Sequence, residues 1–140
     1  MSVLDKRFLA TSVGTLNPKV PIEVLTTTTV AEAVALLQAN KQGSVIVVDE
    51  RGLLQGIFTE RDVLLKVALR GIDPRATPVS ELMTKNPETI SATTPIAFAL
   101  NMMSHGGYRH LPMLDEAGYP IGVVSVKDLV DHIAKMVGDV

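Results

Sequence analysis

Cysteine and tryptophan are absent from the 140 residues, and aromatic side chains amount to 4%. Without thiols the chain holds no disulfide framework, no thiolate zinc cluster and no cysteine nucleophile. Three histidines, His105, His110 and His132, offer no metal triad by spacing. Neither sign of charge dominates: 13 Lys+Arg stand against 15 Asp+Glu, a net of −2. A protein that tracks nucleic acid needs a basic face to displace phosphate counterions, and this balance argues against one. Long hydrophobic runs are also missing. The longest uncharged stretch, Thr89 to Tyr108, carries Ser, Thr, Asn, His, Pro and Gly and is no hydrocarbon-soluble helix. Asp5, Lys6 and Arg7 precede no apolar segment of the secretory kind. A soluble, cytoplasmic protein without a membrane partner is the expectation.

What the chain does have is 46% hydrophobic residues and one pattern written twice. When Val24 is laid on Ile90, the chain aligns with itself without a gap as far as Val67 on Ile133. Thr27 and Thr28 meet Thr93 and Thr94, Ala31 and Ala33 meet Ala97 and Ala99, and Asp49, Glu50 and Gly52 meet Asp115, Glu116 and Gly118. Gly56 meets Gly122 and Asp62 meets Asp128. Such self-similarity sets the architecture before any single element does.

Each copy reads as strand, helix, strand, strand, helix. Val30, Ala33, Val34 and Leu37 lie on one helical face, and Ile96, Ala99, Leu100 and Met103 repeat it. Pro95 suits the first turn of the second of these helices, and Thr28 or Thr29 the cap of the first. Apolar runs at Val45–Val48 and ending at Phe58 flank a turn at Asp49–Gly52, a hairpin mirrored by Leu111–Leu114 and Ile121–Val124. Helices are predicted from about Glu60 to Arg70 and from about Val126 to Val137, stopped by Gly71 and Gly138. The predicted layout is an N-terminal arm over 1–15, a first repeat over 16–72, a linker over 73–78 and a second repeat over 79–140. In the linker, Thr77 is placed to cap a short helix with Pro78 in its first turn. The arm is expected to pack across a dimer or to be disordered. The helices after both hairpins are apolar in nearly every direction, which predicts burial between repeats and then a homodimer.

The chemistry-bearing segments close the hairpins: Gly56-Ile57-Phe58-Thr59-Glu60-Arg61-Asp62 and Gly122-Val123-Val124-Ser125-Val126-Lys127-Asp128. A hydroxyl with an acid three residues on, just before a helix, resembles a capping box. The same parts suit a sugar-phosphate: helix N–H groups for an anion, a hydroxyl donor, and a carboxylate that accepts two ribose O–H groups. The preceding glycines would let a ligand reach the strand backbone. Arg61 and Lys127 are candidate cations, and Arg109 and His110 better ones, since Arg grips phosphate with two donors. His105, His132, Met102, Met103 and Met113 are read as surface or core residues. No Ser-His-Asp set, catalytic carboxylate pair or Walker lysine loop stands out, so no enzyme is predicted.

The duplicated βαββα pattern, the Gly-x-x-[Thr/Ser]-x-x-Asp endings and Tyr108-Arg109-His110-Leu111-Pro112 resemble a tandem pair of cystathionine-β-synthase (CBS) domains, a Bateman module. The resemblance spans about Val20 to Val137. It implies an α/β fold of α+β type with pseudo-twofold symmetry. It also implies a regulatory module that binds AMP, ADP, ATP, S-adenosylmethionine or NAD in clefts between the repeats, without chemistry on the ligand or a required cofactor. By resemblance, the main cleft would use Ser125, Asp128, Arg109, His110, Lys127 and Val123, with adenine against Val20, Pro21 and Ile22. A weaker one would use Thr59, Asp62, Arg61 and Ile57, with Asn86 and Pro87. The weakness follows from Gly43 and Ser44, which stand where the second copy has Arg109 and His110. Dimerisation and an effector protein, unnamed by the sequence, complete the implied picture. The alternative is a ligand-free dimerisation module whose Thr/Ser-x-x-Asp turns are only helix caps.

Overall fold

The computed structural model describes residues 6–138. In chain order these form α1 (Lys6–Ala10), β1 (Glu23–Leu25), α2 (Val30–Asn40), β2 (Ser44–Val48), β3 (Leu54–Thr59), α3 (Glu60–Asp62), β4 (Thr84–Lys85), α4 (Ile96–Gly106), β5 (His110–Leu114), β6 (Pro120–Ser125) and α5 (Val126–Gly138). They gather into two compact units, one holding residues 21–87 and 118–120, the other 6–20, 88–117 and 121–138.

In the first unit a four-stranded sheet runs in the order β1-β2-β3-β4. β1 is parallel to β2, with Val24 opposite Val47, and β2 is antiparallel to β3, with Ile46 opposite Ile57. β2 is buried along its whole length, as its unbroken Ser-Val-Ile-Val-Val requires. α2 buries the predicted stripe, Val30, Ala33 and Leu37, against Val45, Val47, Phe58, Val79 and Leu82. Thr29 caps it, its Oγ1 accepting the Glu32 N–H at 3.2 Å. Lys41, in the left-handed region with φ 51°, ends it and donates its N–H to the Leu37 carbonyl.

In the second unit β5 pairs with β6. Ile90 makes a parallel bridge to Met113 on one side, and Lys19 an antiparallel bridge to Val123 on the other. The order of the first sheet thus recurs with single bridges in place of β1 and β4. α4 buries Ile96, Ala99 and Met103, the equivalents of the α2 stripe, against Leu111, Met113, Val124 and Leu129. Met103 and Met113 are core fillers, and Met102 packs against that core.

The structure corrects several local expectations. The helix expected over Glu60–Arg70 is one α-helical turn, Glu60–Asp62, followed by a π-helical stretch, Val63–Ala68, where the Leu69 N–H reaches the Leu64 carbonyl at 3.3 Å. The wider turn coincides with a double engagement of Lys66, described below. Thr77 caps no helix: its hydroxyl donates to the Asp73 carbonyl at 2.8 Å, and Pro78 precedes a short 3₁₀ turn, Val79–Glu81. Pro95 is the N-cap of α4 rather than a first-turn residue. Gly71, at φ 65°, stands in the left-handed region beyond the π-helical stretch, but Gly138 lies inside α5. The arm expected to pack across a dimer or to be disordered is, in its described part, built into the second unit. Phe8 and Val13 are buried in the core of the second unit, and the Val13 N–H donates to the Thr94 carbonyl at 2.8 Å. Residues 1–5 lie outside the described residues.

Both hairpins turn at an acid and a glycine, Asp49 to Gly52 and Asp115 to Gly118, the glycines at φ 86° and 93°. Asp49 Oδ1 accepts the N–H groups of Arg51 at 2.9 Å and Leu53 at 3.0 Å. The Leu53 N–H, helped by that of Arg51 and by the Arg51 charge, holds the Asp49 carboxyl below the usual carboxylate range. A depressed folded-state pKa gives stability above the unfolded value and loses it as the group protonates. Asp49→Asn is expected to be less stable than wild type at pH 7 in urea denaturation. That gap should close as the pH falls below about 4.

Candidate functional site

In the second unit the chain leaves β6 at Ser125 and enters α5 at Val126. Ser125 Oγ accepts the Asp128 N–H at 3.0 Å, and Asp128 Oδ2 accepts the Ser125 N–H at 3.1 Å. This is a reciprocal capping box with Asp as its acidic member. The other oxygen, Oδ1, lies 3.7 Å from Lys19 Nζ, and the Asp128 side chain keeps 26% of its surface exposed. Lys19 is held there by its backbone, whose carbonyl accepts the Val123 N–H at 3.0 Å. A cavity of about 250 Å³ opens beside Asp128, lined among others by Asn17, Lys19, Asp131, His132 and Lys135. Below the roughly 300 Å³ at which ligand pockets begin, it suits part of a ligand, such as a sugar.

The sequence-predicted cations divide. The Arg109 carbonyl accepts the Val126 N–H at 2.9 Å, so Arg109 stands at the start of α5 with its side chain exposed. His110 is half-buried at the first position of β5. Lys127 turns instead to Asp131, 3.0 Å away one helical turn on; that hydrogen bond and charge raise its pKa above the ordinary lysine value. Val123 is buried, and its N–H is taken by the Lys19 carbonyl. Val20 is 78% exposed next to Lys19. Pro21 and Ile22 belong to the first unit, where the Ile22 carbonyl accepts the Ile46 N–H at 2.7 Å.

In the first unit the box is fuller. Asp62 Oδ2 accepts both the N–H of Thr59 at 2.9 Å and its hydroxyl at 3.2 Å, while Thr59 Oγ1 accepts the Asp62 N–H at 3.3 Å. Asp62 is buried and its Oδ1 is 3.0 Å from Lys66 Nζ. Arg61 is exposed and Ile57 buried. Asn86, left-handed at φ 47°, donates its N–H to the Gln55 carbonyl at 3.2 Å, with Pro87 half-buried after it.

The glycines before each cap serve the protein itself. A Cβ on Gly56 would fall 2.5 Å from Met83 Sδ and 2.8 Å from the Thr84 carbonyl oxygen; on Gly122 it would fall 3.1 Å from Pro18 Cβ. They admit the chain segments that dock on β3 and β6, not a ligand. The residues the sequence reading missed, Lys19, Asp131 and Lys135, were within reach of it. Lys19 repeats as Lys85 under the same self-alignment, and Asp131 and Lys135 lie three and seven positions beyond Asp128, on its helical face. His132, read as a surface residue, is half-buried in the cavity wall. Among the described residues no group of His, Asp or Glu could hold a metal ion, and no helix is long and apolar enough to cross a membrane.

Residues 13–69 and 79–135 each match the CBS domain. The chain belongs to the CBS-domain family. An uncharacterised 17.7 kDa protein of Acidianus ambivalens is 34% identical over 86% of this chain and 72% of its own length. The CBS-domain containing protein ATU1752 of Agrobacterium tumefaciens has the same fold at 33% identity, with a TM-score of 0.79 over 87% of this chain and 98% of its own. The CBS domain pair of protein MJ0100, solved with 5′-methylthioadenosine and S-adenosyl-L-methionine, is 25% identical with a TM-score of 0.80 over 90% of this chain and 98% of its own. The chain spans only about a fifth of the longer CBS-domain proteins of Arabidopsis thaliana that it also matches. The duplicated CBS fold read from the sequence is the fold found.

The close approaches at the two glycines are unequal, and so are the expected costs. Gly56→Ala should destabilise the ligand-free protein by about 1–3 kcal/mol in urea denaturation, because the Thr84 backbone cannot swing aside. Gly122→Ala, whose tightest neighbour is the flexible end of Met113 at 3.0 Å, should cost less. Equal, negligible costs would return the glycines to a ligand.

Proposed function

We propose that this chain is a regulatory module that binds an adenosine-type ligand at Ser125 and Asp128 and leaves it chemically unchanged. The observation that carries this reading is the half-used carboxylate of Asp128. Oδ2 is spent on the helix cap, Oδ1 has only a 3.7 Å contact with Lys19, and the residue lines a cavity with Lys19, His132 and Lys135 in its wall. An ionised carboxylate there accepts a ribose hydroxyl, and Lys19, 52% exposed, is long enough to turn toward a phosphate or carboxylate of the ligand. Ser125 contributes its hydroxyl, and the exposed Arg109 the bidentate phosphate grip. His110, Lys127, Val123 and Val20 complete the main site, and Thr59, Asp62, Arg61, Ile57, Asn86 and Pro87 are the corresponding residues of the first repeat, where binding is weak or absent. The adenosyl ligands of the MJ0100 domain pair support the ligand class. AMP, ADP, ATP and NAD share the nucleoside and belong to the same test. Binding regulates a cytoplasmic effector only through unequal affinity for two conformations.

The completed capping boxes favour a second reading, in which the turns are structural and the module serves dimerisation alone. A thermal-shift panel of AMP, ADP, ATP, NAD, 5′-methylthioadenosine and S-adenosyl-L-methionine separates the two. At a hundredfold its Kd, a true ligand adds about 2.7 kcal/mol of stability. Asp128→Ala is expected to abolish that gain while remaining folded. No shift from any compound leaves the structural reading standing.

Both readings include a homodimer. In the first unit Leu64, Leu65 and Leu69 are 64%, 45% and 76% exposed along and just beyond the π-helical stretch, an apolar surface of the kind that partners cover. Light scattering after gel filtration should give twice the chain mass for wild type, and the chain mass for a Leu64→Asp, Leu69→Asp double variant.

A further inference from the structure

Asp62 and Asp128 are equivalent in the two repeats, but four residues on the chain has Lys66 in one and His132 in the other. Lys66 Nζ lies 3.0 Å from Asp62 Oδ1 and donates to the Leu82 carbonyl at 2.7 Å, so the ammonium is fixed at both ends. With Oδ2 taken twice by Thr59 and Oδ1 paired with the ammonium, a ligand has to displace Lys66 to reach Asp62. Only 12% of the Asp62 side chain and 25% of that of Lys66 are exposed, so water competes little for this charge-assisted contact.

In the second repeat the nearest equivalent is weaker in every respect. Lys19 stands 3.7 Å from Asp128 Oδ1, outside hydrogen-bond range, on a side chain 52% exposed. An exposed pair at that distance is easily given up to a ligand. We propose that Lys66 is a built-in occupant of the first acid, so that the protein takes one adenosine-type ligand per chain, at Asp128, and that Lys66 against His132 sets which repeat binds. This deepens the functional reading above and depends on it.

The test exchanges the two residues and counts sites by titration calorimetry, with S-adenosyl-L-methionine and AMP as probes. Wild type should show one site per chain. His132→Lys should pair with Asp128 one helical turn away and weaken binding by about tenfold or more. Lys66→His should raise the count from one to two. Urea denaturation establishes that each variant is folded, and if Lys66→His is not, His132→Lys decides alone. Two sites in wild type, a smaller loss in His132→Lys, or a single site in folded Lys66→His would overturn the inference while the ligand reading stands. No heat from either probe with any of the three proteins would overturn both.

Discussion

Each repeat leaves one edge of its hairpin to a segment that leads into the other repeat, and the site geometry follows from this docking. Thr84 and Lys85, just before the chain leaves the first unit, lie antiparallel on Ile57 and Gly56; Lys19, just before the chain enters it, bridges Val123. A side chain at either glycine would stand in the way, its Cβ 2.5 Å from Met83 Sδ in one case and 3.1 Å from Pro18 Cβ in the other. The docking satisfies backbone groups of an otherwise open strand edge. It also delivers Lys19 to Asp128, a placement that proximity in sequence could not have produced. Two of the four points at which the chain passes between its units, Val20–Pro21 and Pro87–Glu88, come immediately beyond these docked residues.

Most of the architecture was legible because it is local and repeated. The stripe of Val30, Ala33 and Leu37, the turn from Asp49 to Gly52 and the pairing of Thr59 with Asp62 each need only residues within one helical turn or one hairpin. Their recurrence as Ile96, Ala99 and Met103, Asp115 to Gly118 and Ser125 with Asp128 makes chance implausible. What escaped depends on contacts distant in sequence. Gly56 and Gly122 were assigned to a ligand because a sequence does not show which part of the chain fills the space over a glycine. The π-helical stretch escaped because Val63, Leu64, Leu65 and Val67 are apolar all round and carry no period to break. Thr77 was assigned to a cap that the Asp73 carbonyl claims instead.

The candidate site was legible in its residue types and not in their state. A hydroxyl and an acid three positions apart predict a capping box, and the same pair predicts a ribose contact; sequence gives no means to choose. The cap draws on one oxygen of Asp128 only, so the two roles need not exclude one another. A capping box consumes one carboxylate oxygen, worth about 0.5–2 kcal/mol in the cap as a whole, and leaves the second oxygen uncommitted. The fate of that second oxygen rests on whatever cation reaches it. For Asp62 it is a lysine from its own helical turn, anchored at 3.0 Å and largely shielded; for Asp128 it is a lysine from a distant segment, at 3.7 Å and half in water.

That separation of duties allows duplicated halves to diverge without loss of fold. The Oδ2 contact to the N-cap N–H is present in both, at 2.9 Å and 3.1 Å, so both helix starts are secured by the same means. Variation is then confined to Oδ1, where replacing one side chain four positions on changes the charge environment of the acid but not its backbone hydrogen bonds. An ion pair that buries a carboxylate, as at Asp62, gives stability at the expense of access, because a ligand must first break it. A carboxylate left partly wet, as at Asp128, gives up that stability and keeps the access. The two halves of this chain embody the two choices on one scaffold.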